Sequence, residues 1–333
     1  MDNISLCKHE EINYLQKFID CKWRKNHILA KNIALMDFQH RSKENYTFVI
    51  ANKNNTNSYS AILGFIPLSN FDSNLEEFRD FWLAIWKVDK AIATPGIGVM
   101  LLQFFEREFT PNSIGALGIN HEVKKLYKAF QYKTGKLTQY YYLNPNVINY
   151  RIAKVFEKLE KKEINTSVYR IERIIDLETF SDFKHQYQPS KSIEYIRNRY
   201  LHHPIYTYQL YGIFFKTKIE CIFVTRKITI NGSACIRIID VYGDLRDLGG
   251  IETELDKLIT KENAEYIDCL NFGISQETFL NMGFSIRENI IIPNHFEPFE
   301  QTNVDIEFAF SSKRDEYVIF KGDSDQDRPN FIV

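Results

Sequence analysis

Cysteine is scarce and unpatterned. Cys7, Cys21, Cys221, Cys235 and Cys269 are odd in number, scattered over 333 residues, and form no C-x-x-C pair or Cys/His metal spacing. That excludes a disulfide framework or a zinc ribbon and suits thiols kept reduced in a cytosol. An excess of either charge is also missing, since 42 Lys and Arg face 43 Asp and Glu. The strongly basic balance of a general nucleic-acid binder is therefore absent, and a small or neutral partner is expected. No apolar run approaches the length that spans a bilayer, and the polar start Met1-Asp-Asn-Ile-Ser-Leu-Cys-Lys-His does not read as a signal peptide. The expectation is a soluble, cytoplasmic chain without membrane contact. His202 and His203 are adjacent in an extended segment, where they point to opposite faces, and no carboxylate cluster accompanies them, so no metal is expected.

What is present is a large apolar content, 44% of the chain, enough to bury a sizeable core and at this length to favour two domains. The first half alternates strand and helix signals. A helix is predicted over 11–20, strands over 46–52, 60–67 and 81–88, a helix over 98–108, a strand over 113–117, a helix over 121–130 and a strand over 138–143. The charged stretch Lys154 to Glu163 reads as a solvated connector. This divides the chain into 1–150, a connector at 151–166, and 167–333. The second unit repeats the programme, and Gly118-Ile-Asn-His-Glu-Val-Lys-Lys-Leu-Tyr127 overlays on Gly273-Ile-Ser-Gln-Glu-Thr-Phe279 with a shorter second helix. We read a diverged internal duplication.

The most informative local signal is the strand 81–88 followed by Ala93-Thr-Pro-Gly96-Ile97-Gly98-Val99 opening an apolar helix. Glycine lets a ligand's phosphates approach the backbone, and the helix start aims unpaired N–H groups and its positive dipole end at them. The plainer alternative is an ordinary strand-to-helix turn. Taken with the later strand, Asn120, and the helix carrying Leu126-Tyr127, these segments resemble the GNAT superfamily of acyl-CoA-dependent N-acyltransferases over about residues 5 to 145. That family's R/Q-x-x-G-x-G/A motif is kept in its glycines, but Ala93 replaces the leading Arg or Gln. In the later element L-Y-x-x-x-G-F/Y, Gln131 stands where glycine is customary. More narrowly, Trp23 to Leu29, Asp37-Phe-Gln-His40 and Asp323 to Asn330 look similar to two-domain GNAT proteins associated with bacterial surface-polysaccharide biosynthesis.

The resemblance implies an α/β mixed-sheet fold of tandem GNAT-like domains, the second degenerate because no Gly-x-Gly precedes its helix and Phe279 stands opposite Tyr127. It also implies acetyl-CoA, or another acyl-CoA, as co-substrate without a metal, and the amine of an amino sugar, expected to be nucleotide-linked, as acceptor. On this reading Val88, Ile92, Gly96, Ile97, Gly98, Val99 and Asn120 contact the cofactor, and backbone N–H groups near Val88 face the thioester oxygen. Tyr127 would protonate the leaving thiolate, unless it is an ordinary core tyrosine. His40 is a candidate base because imidazole titrates near neutrality, and Asp89 a competing base or amine anchor that could equally cap a turn. His27 and Gln39 fall beside the acceptor. Arg237 and Asp240 interrupt an apolar strand, so each needs a partner: each other, a backbone group, or an acceptor's charge. The acidic tail from Asp323 is either solvated or folded back over the cleft. Two other classes stay open, a Fem-like aminoacyl-tRNA-dependent transferase and a non-catalytic ligand-binding module.

Overall fold

The computed structural model describes residues 2–53, 58–156, 167–178, 180, 183, 187–246 and 248–329. Most of the predicted connector and the end of the tail from Asn330 lie outside that set. In the first half the strands are β1 (Asp2–Lys8), β2 (Asn45–Lys53), β3 (Tyr59–Pro67), β4 (Asp80–Val88), β5 (Ser113–Leu117), β6 (Lys133–Lys136) and β7 (Thr138–Leu143). Its helices are α1 (Ile12–Phe18), α2 (Ile28–Lys31), α3 (Ile33–His40), α4 (Ile97–Phe109) and α5 (His121–Ala129). The second half adds strands β8 (Tyr169–Ile174), β9 (Gln209–Phe215), β10 (Lys218–Ile230), β11 (Ser233–Gly243), β12 (Tyr266–Phe272) and β13 (Ser285–Ile286). A short hairpin of β14 (His295–Phe296) and β15 (Phe299–Glu300), then β16 (Glu307–Ser312) and β17 (Ile319–Phe320), complete it. Its helices are α6 (Ile193–Ile196), α7 (Glu252–Lys261) and α8 (Gln276–Asn281).

The first sheet runs β1-β2-β3-β4-β5-β16-β6 and the second β13-β7-β12-β11-β10-β9-β8. Reversed, the second order matches the first slot by slot, and in each sheet the pair before the last helix, β4/β5 and β11/β12, is parallel. The overlay read from sequence is thus a structural repeat. Gly118 and Gly273 both turn with positive φ after their strands, and Asn120 and Ser275 both cap the helices that follow. Gln131 takes a positive φ of +64° where Gly283 takes +91° in the other copy, so the backbone keeps the turn for which glycine is the usual residue.

Two strands cross the boundary expected near 150. β7 sits between β12 and β13 of the second sheet, and β16 sits between β5 and β6 of the first. Each half therefore donates its strand to the same slot of the other.

Apolar periodicity explains the layers. Ile97, Leu101, Leu102 and Phe105 form one stripe of α4, which with Tyr127 of α5 covers one face of the first sheet. The other face is covered by α1–α3 through Leu15, Leu35 and Met36. Further along, a core joins Trp82, Leu117 and Phe308 of the first sheet to Ile222, Ile239 and Leu270 of the second, with α6 packed against it.

Candidate active site

β3 follows β4 to its end, pairing Ala61 with Val88, but β5 follows it only from Asp80 to Leu83. The divergence starts at a bulge: Leu63 faces Trp86 and Phe65 faces Leu83, so Ala84 and Ile85 share the place opposite Gly64. A bulge adds twist and ends pairing. Among the described residues no strand pairs with the β5-side edge of β4 beyond Leu83, so part of its backbone amides line a V-shaped cleft. The free edge expected near Val88 begins earlier, at Ala84.

At the far end of this edge Gly96 takes φ +84° as N-cap of α4, a conformation costly to residues with a Cβ. A Cβ on Gly98 would lie 3.1 Å from Val88 Cγ2 and 3.4 Å from Trp86 Nε1, so this glycine keeps the helix start close to β4. The N–H groups of Gly98 and Val99 have no intrahelical acceptor and none among the other described residues. A diphosphate fits here: free donors, the dipole's positive end and an unobstructed backbone converge. Ile97 is buried and donates its N–H to Thr94. Ile92 donates to the Asp89 carbonyl, and its own carbonyl accepts from Lys53.

The C-terminal tail closes the narrow end of the V. Ser324 Oγ donates to the Leu83 carbonyl at 2.9 Å and Gln326 Nε2 to the Leu117 carbonyl at 3.2 Å, tying the tail to both diverging strands. Asp323, Ser324, Asp325 and Asp327 are all buried. The tail is thus folded back rather than solvated. Arg199 binds the Gly322 and Ser324 carbonyls, Lys191 pairs with both Asp240 and Asp323, and Arg226 pairs with Asp327.

The second half has the same cleft, filled. β11 pairs with β12 only from Ile236 to Ile238, and β17 pairs with β12 at Asn271 and Phe272. Gly322 N donates to the Ile239 carbonyl. At the helix start that matches Gly96, the Gly250 N–H donates to the Asn281 carbonyl. β17 and Gly322 thus occupy the gap between β11 and β12 that stays open between β4 and β5 among the described residues.

Two solved structures share this architecture. A GCN5-related N-acetyltransferase from Anabaena variabilis ATCC 29413 matches with a TM-score of 0.58 at 11% identity, over 93% of this chain and 72% of its own. A conserved protein of unknown function from Enterococcus faecalis V583, described as a probable N-acyltransferase, matches at 0.54 and 8% identity, over 92% and 72%. The fold is a tandem GNAT fold. No protein-family model and no curated protein sequence matches the chain, so the likeness is one of architecture.

Within the GNAT frame, the expected site residues divide. Tyr127 projects from α5 toward Trp86, with ring centroids 5.7 Å apart, and its hydroxyl makes no hydrogen bond to the described residues. Burial alone pushes its pKa up, so it stays protonated. Trp86 was missed: it lies between the Gly98 turn and Tyr127, and as an aromatic on a strand it carried no signal beyond core packing. Asn120 uses its side-chain oxygen to cap α5 on Val123 N.

On the opposite side of β4 the candidate base is enclosed. His40 Nδ1 lies 3.2 Å from the Phe65 carbonyl and 3.0 Å from Thr47 Oγ1. A carbonyl only accepts, so Nδ1 carries the proton and the buried Nε2 offers a lone pair, with no partner among the described residues. Burial depresses the His40 pKa to about 4. His27 caps α2 by accepting from Leu29 N, and burial takes it to about 3. Gln39 is buried with Oε1 unpartnered among the described residues. Asp325 and Arg328 of the tail act electrostatically on both histidines, Arg199 on His40. Residues from both halves thus meet beneath the bulge, and a fixed cation such as Arg199 could have been sought from its place among aromatic residues.

Three expected residues have protein partners instead. Asp89 pairs with Lys22 at 2.9 Å and caps Ala91 N at 3.2 Å; hydrogen bonding to Lys22 holds its pKa low, which leaves it a poor base. Arg237 does not meet Asp240. Its guanidinium grips Asp268 through Nε and Nη2 at 3.0 and 2.8 Å and donates to the Pro293 and Asn294 carbonyls. Asp240 accepts from Lys191, Tyr200 and its own neighbour Val241 N. The charges in that strand are satisfied internally. Among the described residues no group of three metal-ligating side chains occurs, and no helix is long and apolar enough to cross a membrane.

Proposed function

We propose that this chain is an acyl-CoA-dependent N-acyltransferase whose first sheet holds the donor. The observation that carries this reading is the free edge of β4 from Ala84 to Val88 ending at the Gly96 turn: amides for a pantetheine arm lead to N–H groups for its diphosphate. In this reading an amide of that edge faces the thioester oxygen, polarising the carbonyl for attack. Tyr127 donates its proton to the departing thiolate. The amine enters beneath the bulge, where the neutral lone pair of His40 Nε2 accepts a hydrogen bond from its N–H and orients it, and the proton lost on acylation passes to water. Acetyl-CoA is the default donor, and the acceptor is the amine of an amino sugar, nucleotide-linked, in surface-polysaccharide biosynthesis. Support for the acceptor class is the sequence likeness of Trp23 to Leu29, Asp37 to His40 and the tail, segments that supply His27, Gln39, His40, Asp325 and Arg328 to this one neighbourhood.

A second reading, a CoA-binding module without turnover, draws on the enclosure of His40 and on Ala93 replacing the customary Arg or Gln. Thermal-shift titration separates them, because a ligand that binds only the folded state raises its melting point. The expected result is stabilisation by CoA and acetyl-CoA, with thiol release that requires an amine acceptor. Tyr127→Phe should bind CoA normally and turn over about 10–100-fold more slowly, the lower part of the range for a lost general acid and below it. No stabilisation by saturating CoA sinks the donor assignment; stabilisation without turnover across amino-sugar acceptors favours the module.

A further inference from the structure

A separate pocket lies beside the cleft, walled by Arg226 of β10, Arg237 of β11, Phe296 and, from the tail, Lys321, Gln326 and Asp327. It offers about 40 Å³, room for about three water-sized groups at about 10–15 Å³ each. That suits one phosphoryl group and is too small for a sugar ring.

Its hydrogen-bond donors are not all used. Arg237 is paired with Asp268, Arg226 with Asp327, and Arg328, also on the wall, with Asp325. Lys321 has no carboxylate partner among the described residues. It is 7% exposed, and its Nζ has one acceptor, the Gln326 carbonyl at 3.3 Å. An ammonium buried on these terms is costly unless something neutralises it, and burial lowers its pKa to about 8. The Arg226 Nε–H is likewise buried without an acceptor, while the guanidinium lies over the Tyr206 ring, 4.0 Å from its centroid. Of the two acids on the wall, Asp327 accepts from Arg226 and Tyr208, while Glu297 accepts at Oε1 from the neutral Tyr206 hydroxyl and keeps its charge near the pocket.

We propose that this pocket binds a phosphoryl group of the acceptor, held by Lys321 Nζ and Arg226 Nε. The assignment to the acceptor rests on the acyltransferase reading. Gln326 joins the two places, its carbonyl on Lys321 and its side chain on the Leu117 carbonyl at the cleft. A phosphate in the pocket and an amine in the cleft can therefore belong to one molecule, which makes phosphorylated or nucleotide-linked amines the preferred class over free amino sugars.

The test is calorimetric titration of inorganic pyrophosphate and of UDP into the whole protein, with CoA saturating to mask the donor site. Wild type should bind both. Lys321→Gln should weaken binding about tenfold or more and Lys321→Arg by no more than about threefold, since charge-assisted hydrogen bonds carry the contact. CoA affinity should be unchanged in both. Tighter binding of UDP assigns the anion to a nucleotide, and equal binding assigns it to the phosphoryl group alone; either upholds the pocket. No binding by wild type at millimolar ligand, or equal affinity in Lys321→Gln, overturns it. Should Lys321→Gln also lose CoA, Arg226→Lys, which keeps the charge and removes the Nε–H, decides by the same comparison. If wild type binds no CoA while pyrophosphate binding still depends on Lys321, the donor reading fails and the pocket stands.

Discussion

Two buried histidines, His27 and His40, and the half-buried His203 lower the stability of this protein in acid. Burial holds His40 at about 4 and His27 and His203 at about 3, against an ordinary value near 6.5. As pH falls through that value the unfolded chain takes up protons that the folded chain refuses, so stability rises with pH across this window and is fully present above it. Each histidine removes up to about 1.4 kcal/mol per pH unit between about 6.5 and 4. Asp323, pushed up by burial, opposes one of the three over part of the same range. The urea midpoint should therefore drop markedly from pH 7 to pH 5, and less so in His40→Gln. An unchanged midpoint would mean that these rings reach water in the folded state. Sequence made the odd residues visible but not their surroundings. Arg237 and Asp240 stood out as charges in an apolar strand, yet their partners Asp268 and Lys191 come from another strand and from the segment before α6, which periodicity does not connect. His40 was noticed for its chemistry, while its enclosure depends on Phe48, Thr47 and Phe65 across two strands.

At the scale of elements, the Gly96–Gly98 turn separates stability from binding. Gly96→Ala places a Cβ at φ +84° and should cost about 1–2 kcal/mol by urea unfolding. Gly98→Ala meets side-chain atoms alone, Val88 Cγ2 closely and the Trp86 ring at ordinary contact distance, and gains helix propensity of about 1 kcal/mol. It should leave stability within about 1 kcal/mol of wild type while weakening CoA binding, because its methyl stands between the helix start and β4. If Gly98→Ala binds CoA as well as wild type, the turn is a connection and nothing more. Local elements were largely legible: β5 and β7 have the limits predicted, α4 is one residue longer than predicted at each end, and α5 one residue shorter at its C-terminal end. Cap, stripe and turn signals all lie within a few residues of what they determine. The bulge at Ala84 and Ile85 was not legible, since it is a matter of register against β3.

The whole molecule behaves as one unit because its halves are interlocked. β16 completes the first sheet, β7 completes the second, and the tail bridges both clefts. Each large apolar side chain in the core between the sheets contributes about 1.5–3 kcal/mol on burial, so neither half can part from the other without exposing Trp82, Leu117, Ile239 and Leu270. Calorimetry should show a single transition whose calorimetric and van't Hoff enthalpies agree, where two separable domains would show two. Duplication was visible in sequence as the Gly118 and Gly273 overlay, but the exchange was not. Nothing in Glu307–Ser312 names a partner at 113–117, almost two hundred residues earlier.

The reciprocal exchange also governs when the first cleft can form during synthesis. A ribosome that has released residues 1 to 150 has delivered every glycine and tyrosine of the first cleft, but β5 still lacks its neighbour, and that open edge is available to any passing strand. The cleft is complete only after β16 and the tail emerge, about half the length of the chain later. Translation order thus withholds the first cleft until the second half exists, so a chain stopped before β16 has no assembled cleft at all.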